Sequence, residues 1–307
     1  MKESGTSDSA RPAWRAIDGI LLLDKPLGWS SNQALQRVRR LLGAARGGHT
    51  GSLDPLATGM LPLCLGQATK FSSFHLAADK RYLVRLVLGV RTSSGDREGD
   101  PMERGPDILP PGRLEGVLAG FLGPQMQIPP MYSALKRDGQ PLYRLARRGI
   151  DVEREARPIV IGSLRLMSVG PAGAVLEVGC SKGTYIRTLV EDIASAAGTV
   201  GHVAELRRLV VEPFDPAGMV TLEALEADCI EGRLARVLPV DAGLDRLPSL
   251  VLLADEVLRL RQGLPLMRAG LAAGPTTLRA YGPNGEFQGV VEADAGGVIR
   301  VRRLMSG

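Results

Sequence analysis

The chain has 307 residues, 44% of them hydrophobic but only 4% aromatic, enough for one large domain plus a small one built on Leu, Val, Ile and Ala. Its net charge of +5 resides almost wholly on Arg and is compatible with a nucleic-acid partner without demonstrating one. No apolar run approaches the roughly 20 residues of a membrane span, residues 1–15 lack a signal peptide's apolar stretch, and the scattered Cys64, Cys180 and Cys229 give neither a disulfide framework nor zinc spacing, so a cytoplasmic protein without a metal is expected.

In chain order, residues 1–18 read as a loose tail. Gly19 to Leu23 is a short buried strand, closed by a turn from Asp24 to Gly28. Ser31 or Asn32 caps a helix from Gln33 to Leu42, where Leu35, Val38, Leu41 and Leu42 recur at helical spacing, and Gly43 ends it. A Gly-rich loop over residues 47–59 then carries Asp54. Tyr82 to Val90 alternates like a strand, with Tyr82, Val84, Leu86 and Leu88 on one face. Thr92 to Pro111 is a long loop rich in Gly, Asp, Pro and Ser, of a kind that is usually functional in a compact domain.

Arg113 to Phe121 reads as helix, Pro124 to Tyr132 as extended chain, and Leu142 to Gly149 as helix again. Across this region Lys136, Arg137, Arg144, Arg147, Arg148, Arg154 and Arg157 outnumber Asp138, Asp151, Glu153 and Glu155; charge alone fits a solvated helix face as well as a binding surface. Pro158 to Leu166 and Ala174 to Cys180 are strands joined by Gly170-Pro171-Ala172-Gly173. A helix from Thr184 to Ala197 presents Ile186, Leu189, Val190 and Ile193 to a core, and Val203 to Val211 is another strand. Short helices are expected at 221–227 and 231–237. From about Leu247 short strands alternate with Gly- and Pro-rich turns, and Pro283-Asn284-Gly285 predicts a hairpin between Thr277–Tyr281 and Phe287–Val291.

Asp54 precedes Pro55 among Gly47, Gly48, Gly51 and Gly59. It is either a turn residue or an exposed carboxylate that a substrate can approach closely, and carboxylates act as nucleophiles, notably at anomeric carbons. The loop lacks the GxxxxGK[ST] of a P-loop, and no second carboxylate stands at a spacing diagnostic of a glycosidase. Arg187, opening a helix after Ser181-Lys182-Gly183, is either a surface arginine or the partner that keeps a buried carboxylate ionised. Tyr82, taken alone, is better explained by core packing than by function.

Taken together, these stretches resemble the bacterial TruB-type tRNA pseudouridine synthases, which act on uridine 55 of the T-arm. Five segments match in order between about residues 18 and 222: Gly19-Ile20-Leu21-Leu22-Leu23-Asp24-Lys25-Pro26, the run from Gly48 to Gly59, Lys80-Arg81-Tyr82, Pro130 to Lys136, and Cys180 to Thr188. Ala204-Glu205-Leu206-Arg207-Arg208-Leu209 matches as well, and Gly285 to Val290 fits more weakly. The loop Arg91 to Asp96 departs from the family by placing Ser93 where an acidic residue often follows the Thr, while Asp96 keeps its place.

The resemblance implies an α+β fold with a mixed, mainly antiparallel central sheet flanked by helices over residues 19–245. It also implies an RNA-closing insertion at about 124–157 and a small C-terminal β-barrel of the PUA type over 246–307. Asp54 would be the nucleophile, Tyr82 would stack on the base and serve in proton transfer at its carbon 5, and Arg187 would pair with Asp54. His49 would fill the gap left by the flipped nucleotide, Tyr185 and Leu206 would line the uracil pocket, Lys25 and Pro26 would support the catalytic loop, and Lys70 and Lys136 would contact the RNA.

No cofactor is expected, because the isomerisation involves no redox change. The expected partner is the T-arm stem-loop of tRNA, with no membrane and no obligatory protein partner, and the protein is expected to be a monomer. Two other classes of function stay open from sequence: an RNA-binding or RNA-folding protein in which catalysis is secondary, and a carbohydrate-active enzyme using Asp54. A guide-RNA-dependent variant of the same reaction is a further alternative.

Overall fold

The computed structural model describes residues 14–170, 173–268, 271 and 274–306. Residues 1–13 of the expected tail, and Pro171 and Ala172 of the expected turn, lie outside the described residues. The remainder of the tail is anchored rather than loose: Arg15 bridges Ala44, and the Asp18 carboxylate accepts the Gln67 N–H at 2.7 Å.

The strand β1 (Gly19–Lys25) is buried on both faces. Leu21 and Leu23 enter the main core, while Ile20 and Leu22 enter a second cluster with Met60, Cys64, Val211 and Phe214. A strand covered on both sides needs no polar alternation, which accounts for its unbroken apolar run. Helix α1 (Ser31–Leu42) is capped by Ser30, in a reciprocal capping box with Gln33, not by Ser31 or Asn32. The Ser31 hydroxyl is committed elsewhere: it donates to Leu53 O at 3.0 Å and accepts from Leu53 N at 2.7 Å.

The Gly-rich loop is shorter than expected, because β2 (Gly47–His49) pairs with β3 (Ala57–Leu65) and leaves only residues 50–56 outside strands. The short helix α2 (Ser72–Leu76) leads into β4 (Lys80–Leu88), which buries Tyr82, Val84, Leu86 and Leu88 on one face as its alternation requires. The segment expected to be a long loop contains a hairpin, β5 (Val90–Thr92) and β6 (Pro101–Arg104), held by the directly opposed pair Arg91 and Glu103 at 2.8 Å. Helix α3 (Arg113–Leu118) and β7 (Gly123–Gln127) follow, then a minimal hairpin, β8 (Lys136–Arg137) with β9 (Gln140–Pro141), and α4 (Leu142–Ala146).

After β10 (Arg157–Gly170) and β11 (Gly173–Cys180), helix α5 (Ile186–Ala197) starts two residues later than predicted, since Tyr185 stays extended as its N-cap. The strand β12 (Gly201–Val211), β13 (Val220–Thr221), α6 (Leu222–Ala227) and α7 (Ile230–Ala235) complete this part. Nine strands form one sheet in the order β13-β1-β3-β12-β4-β11-β10-β7, with β2 attached to β3. Only the β1–β13 and β3–β12 pairings are parallel, so the sheet is mixed and mainly antiparallel.

The C-terminal part contains β14 (Ser249–Val251), α8 (Ala254–Arg261), β15 (Leu266–Met267), β16 (Thr276–Tyr281), β17 (Phe287–Ala293) and β18 (Val298–Leu304). Its five strands form a half-barrel sheet in the order β14-β16-β17-β18-β15, with the predicted hairpin between β16 and β17 and a helix, α8, that the sequence reading did not anticipate. Phe71, Leu244 and Val290 form a small buried cluster that joins the two sheets.

The insertion of β12 between β3 and β4 brings distant segments into register: Leu206 opposite Ala57, Arg208 opposite Gly59 and Arg208 opposite Tyr82. At Gly59, with φ +99°, a Cβ would stand 2.2 Å from the Arg208 carbonyl oxygen. Gly59→Ala is therefore expected to lower stability by at least about 2 kcal/mol. A thermal melt superimposing on that of the unaltered protein would contradict this close approach.

Candidate active site

Every residue of the 51–55 segment has its carbonyl held, that of Asp54 by the Ala57 N–H at 3.0 Å. Arg208, reaching from β12, donates to Gly51 O at 3.1 Å, Ser52 O at 3.5 Å and Met60 O at 2.7 Å. Leu53 is fixed by Ser31, and Pro55 O accepts the Gly28 N–H at 2.8 Å and the Lys25 ammonium at 3.5 Å. Lys25 is fully buried and also donates to Trp29 O at 2.6 Å and Pro26 O at 2.9 Å. Burial pushes its ammonium down to about 8, against the raising influence of the Asp54 charge. Leu53 and Leu56, both buried, pin the loop from below. The Asp54 side chain takes no part in closing this turn, and 42% of it remains exposed.

The partner of that carboxylate is Arg187, whose Nε stands 3.1 Å from Asp54 Oδ2. The guanidinium is buried and its other donors are fixed as well: Nη1 bonds Ser94 O and Nη2 bonds Tyr132 O, each at 2.6 Å. Asp96, also buried, lies 3.8 Å from the same Nε. The hairpin of β5 and β6 sets Asp96 in place through the bond from the Thr92 hydroxyl to Asp96 O and the bond from Ser94 Oγ to Asp96 Oδ1, both at 2.6 Å. A cation in the first turn of α5 opposes the helix dipole, so these two carboxylates and two carbonyls are what hold Arg187 there. Burial lifts the Asp54 carboxyl above its ordinary value near 3.8, and the charge of Arg187 is the largest influence drawing it back.

Asp54 and Arg187 line a cleft of about 310 Å³ together with Tyr82, Tyr185, Leu206, Lys80, Arg208, Tyr132 and Ser133. Burial raises the Tyr82 phenol and the Tyr185 phenol, so both are neutral O–H groups at neutral pH. The main chain of Tyr185 is clamped by the buried Gln127 side-chain amide, which donates to Tyr185 O at 3.1 Å and accepts from Tyr185 N at 2.8 Å. Lys80 donates to Leu76 O and Ala78 O, and burial brings its ammonium down to about 8. The cleft thus combines a carboxylate, a fixed guanidinium and three tyrosine rings around one opening.

Of the residues singled out from sequence, Asp54, Tyr82, Arg187, Tyr185 and Leu206 converge on this cleft, and Lys25 with Pro26 lies under its loop. His49 sits on β2 and is absent from the cleft wall; its Nδ1 is buried without a partner, and burial lowers its pKa. Lys70 turns away toward the C-terminal sheet, donating to Leu304 O at 3.2 Å and Ser306 Oγ at 2.6 Å. Lys136 is exposed on the β8–β9 hairpin, outside the cleft, beside Arg137 and Arg157. Sequence reasoning missed Arg208, Gln127 and the contact made by Asp96. Arg208 was accessible to it: in a strand, residues two apart share a face, so the side chain following Leu206 by two had to point the same way. Among the described residues no cluster of His, Cys, Asp and Glu suits a metal ion, and no helix is long and apolar enough to cross a membrane.

Three family models match consecutive stretches: the TruB family pseudouridylate synthase N-terminal domain over residues 39–186, the tRNA pseudouridylate synthase B C-terminal domain over 187–245, and the pseudouridine synthase II TruB C-terminal model over 248–305. The chain is 52% identical over 295 residues to the tRNA pseudouridine synthase B of Ectopseudomonas mendocina, covering 95% of this chain and 96% of that one. With the protein of the same description from Dechloromonas aromatica it shares 49% identity over 294 residues, covering 95% and 97%. Among solved structures, one chain of a Cbf5-Nop10-Gar1 complex aligns at a TM-score of 0.71 and 22% identity, over 98% of this chain and 91% of that one. A chain of an H/ACA RNP bound to a substrate RNA containing 2'-deoxyuridine aligns at 0.70 and 20% identity, over 100% and 93%. These two likenesses concern the fold.

Proposed function

This chain belongs to the TruB family of pseudouridylate synthases, which are isomerases, and from that membership we propose that it converts uridine 55 in the T-arm of tRNA to pseudouridine with Asp54 as nucleophile. The observation that carries the proposal is the 3.1 Å pair between Asp54 and the buried Arg187, in a cleft walled by Tyr82 and Tyr185. The reaction breaks the bond from ribose carbon 1′ to N1, turns the base and rejoins it at carbon 5, which then gives up its proton. The carboxylate supplies the nucleophile, and the charge of Arg187 opposes the rise in its pKa that burial causes. Tyr82 stacks against the base and serves in moving the carbon 5 proton, while Tyr185 and Leu206 complete the pocket.

The target nucleotide must leave its stack, at a cost of a few kcal/mol, and aromatic stacking in the cleft repays part of it. His49, on β2 outside the cleft wall, occupies the space the nucleotide vacates. Lys136, Arg144, Arg147 and Arg148 are all exposed on the insertion, where they neutralise phosphates as it closes over the RNA. Lys70 and the C-terminal half-barrel extend the contact beyond the T-arm. The proposal carries with it a cytoplasmic monomer acting on tRNA alone, with no protein partner or guide RNA. Purified protein incubated with unmodified tRNA should yield one carbodiimide-reactive stop, at position 55, and a transcript with cytidine at 55 should yield none. Modification at other uridines, or a requirement for an added guide RNA, would refute the proposal.

A further inference from the structure

Arg208 is the largest fully buried side chain among the described residues, with 1% of its surface exposed. Buried cations are ordinarily held against carboxylates. Arg187 takes Asp54 and Asp96 in this way, and the adjoining Arg207 takes Asp24. No carboxylate among the described residues pairs with Arg208, whose donors go to the main-chain carbonyls of Gly51, Ser52 and Met60. Its charge bears instead on Lys25, Lys80 and His49, and lowers the pKa of each. A buried guanidinium set among other basic groups is electrostatically unfavourable, and arrangements of this kind gather where a reaction uses them.

The side chain that Arg208 faces is Tyr82. The two are opposed across β12 and β4, and the guanidinium lies against the phenol oxygen. A guanidinium has donors only, so that oxygen meets it as an acceptor and the phenol O–H is left for the cleft that both residues line. The other titratable groups facing the phenol are Asp54 from the loop and Cys180 from β11, whose thiol burial pushes up to about 11. Neither brings positive charge to it. We propose that Arg208 is a positioning residue acting through Tyr82: it directs the phenol hydroxyl into the cleft and steadies the phenolate that takes the carbon 5 proton.

The inference rests on the proposed reaction. Once the base has rejoined the ribose, carbon 5 carries both the sugar and a proton, and carbon 6 is doubly bonded to N1. The phenol gives its own proton to solvent, and the phenolate then takes the carbon 5 proton and returns to its resting form. The C–H electron pair becomes the double bond between carbons 5 and 6. The pair displaced from carbon 6 takes up a proton from solvent at N1, so one proton leaves to solvent and one returns. Burial opposes the phenolate, and the charge of Arg208 is the largest influence in its favour. A guanidinium already fixed by three carbonyls acts without reorganising as that charge appears.

Replacing Tyr82 by 3,5-difluorotyrosine, a more acidic phenol, allows its ionisation to be followed by fluorine NMR at this one position. The otherwise unaltered chain gives the reference titration. In Arg208→Gln the titration should move up by at least about one pH unit, the effect of removing a charge so close. Arg208→Met, also neutral, serves if the Gln variant fails to fold, since apolar side chains often substitute for buried ions. With the ordinary Tyr82, single-turnover tritium release at neutral pH should fall at least about tenfold in the same variants, with KM little changed. Raising the pH should recover part of that loss. A residue that only braced the loop would lower tritium release alike at every pH and leave the fluorine titration where it was; either result would overturn the proposal. Absence of tritium release by the wild type would instead refute the proposed reaction.

Discussion

Asp54→Asn is expected to reduce tritium release from a 5-tritiated T-arm stem-loop by at least about 10⁴-fold, the scale on which enzymes lose activity when the attacking group is removed. The amide keeps the carboxylate's shape and can still accept the Arg187 Nε–H, so RNA affinity should change by no more than a few-fold. Stability should move in the opposite direction to activity. Burial places the folded-state pKa of Asp54 above its ordinary value near 3.8, so the folded protein holds this proton more tightly than the unfolded chain. Such a group loses stability as pH rises from the ordinary value through the folded one. Removing the charge removes the loss, and the variant should melt at the same temperature as the wild type or higher. Substantial residual tritium release would refute the nucleophile; a clearly lower melt would refute the electrostatic account.

Arg187→Met should do two separable things. Asp96, almost fully buried, loses its cationic partner, and the carbonyls of Ser94 and Tyr132 lose their donors. Stranding a buried charge in this way typically costs about 3–5 kcal/mol, which a denaturant or thermal melt will show. The second effect is on pH dependence. The charge of Arg187 is the largest influence lowering the Asp54 pKa, so without it the acid limb of kcat/KM moves to higher pH and activity at neutral pH falls on the order of 10³-fold. Arg187→Lys retains the charge but not the planar set of donors that meets Asp54, Ser94 and Tyr132 together, and should fall between. An acid limb that does not move in Arg187→Met would show that this guanidinium does not govern the ionisation of Asp54.

Periodicity disclosed the elements wherever one face of a strand or helix is buried. The strand from Lys80 and the helix ending at Ala197 are cases where alternation or 3.6-residue spacing is direct. It was less informative where a local side chain served a distant partner. Ser31 looks like a cap, yet its hydroxyl is engaged by Leu53, and the cap falls to Ser30. The β5–β6 hairpin was hidden in a Gly- and Asp-rich segment because its short strands carry no apolar alternation and its opposed side-chain pair, Arg91 and Glu103, is charged. In the cleft, Asp54, Tyr82 and Arg187 were visible through resemblance, whereas Arg208 and Gln127 act on main-chain groups far away in sequence. Such partners emerge only when the chain is folded, since nothing in the residues near Gln127 signals that its amide will clamp Tyr185.

The placement of β12 between β3 and β4 also has a meaning in time. Asp54 and Tyr82 are synthesised early, but the strand that aligns them through Leu206 and Arg208 comes later in the chain. At about 5–20 residues per second, a ribosome needs on the order of ten seconds or more to pass from the first group to the last. During that interval the growing polypeptide carries both side chains yet has no means of setting them face to face, and the edges of β3 and β4 wait unpaired for the strand that closes them. A nascent chain halted before Gly201 would therefore be inert and prone to self-association, and the onset of activity would coincide with the arrival of one late strand.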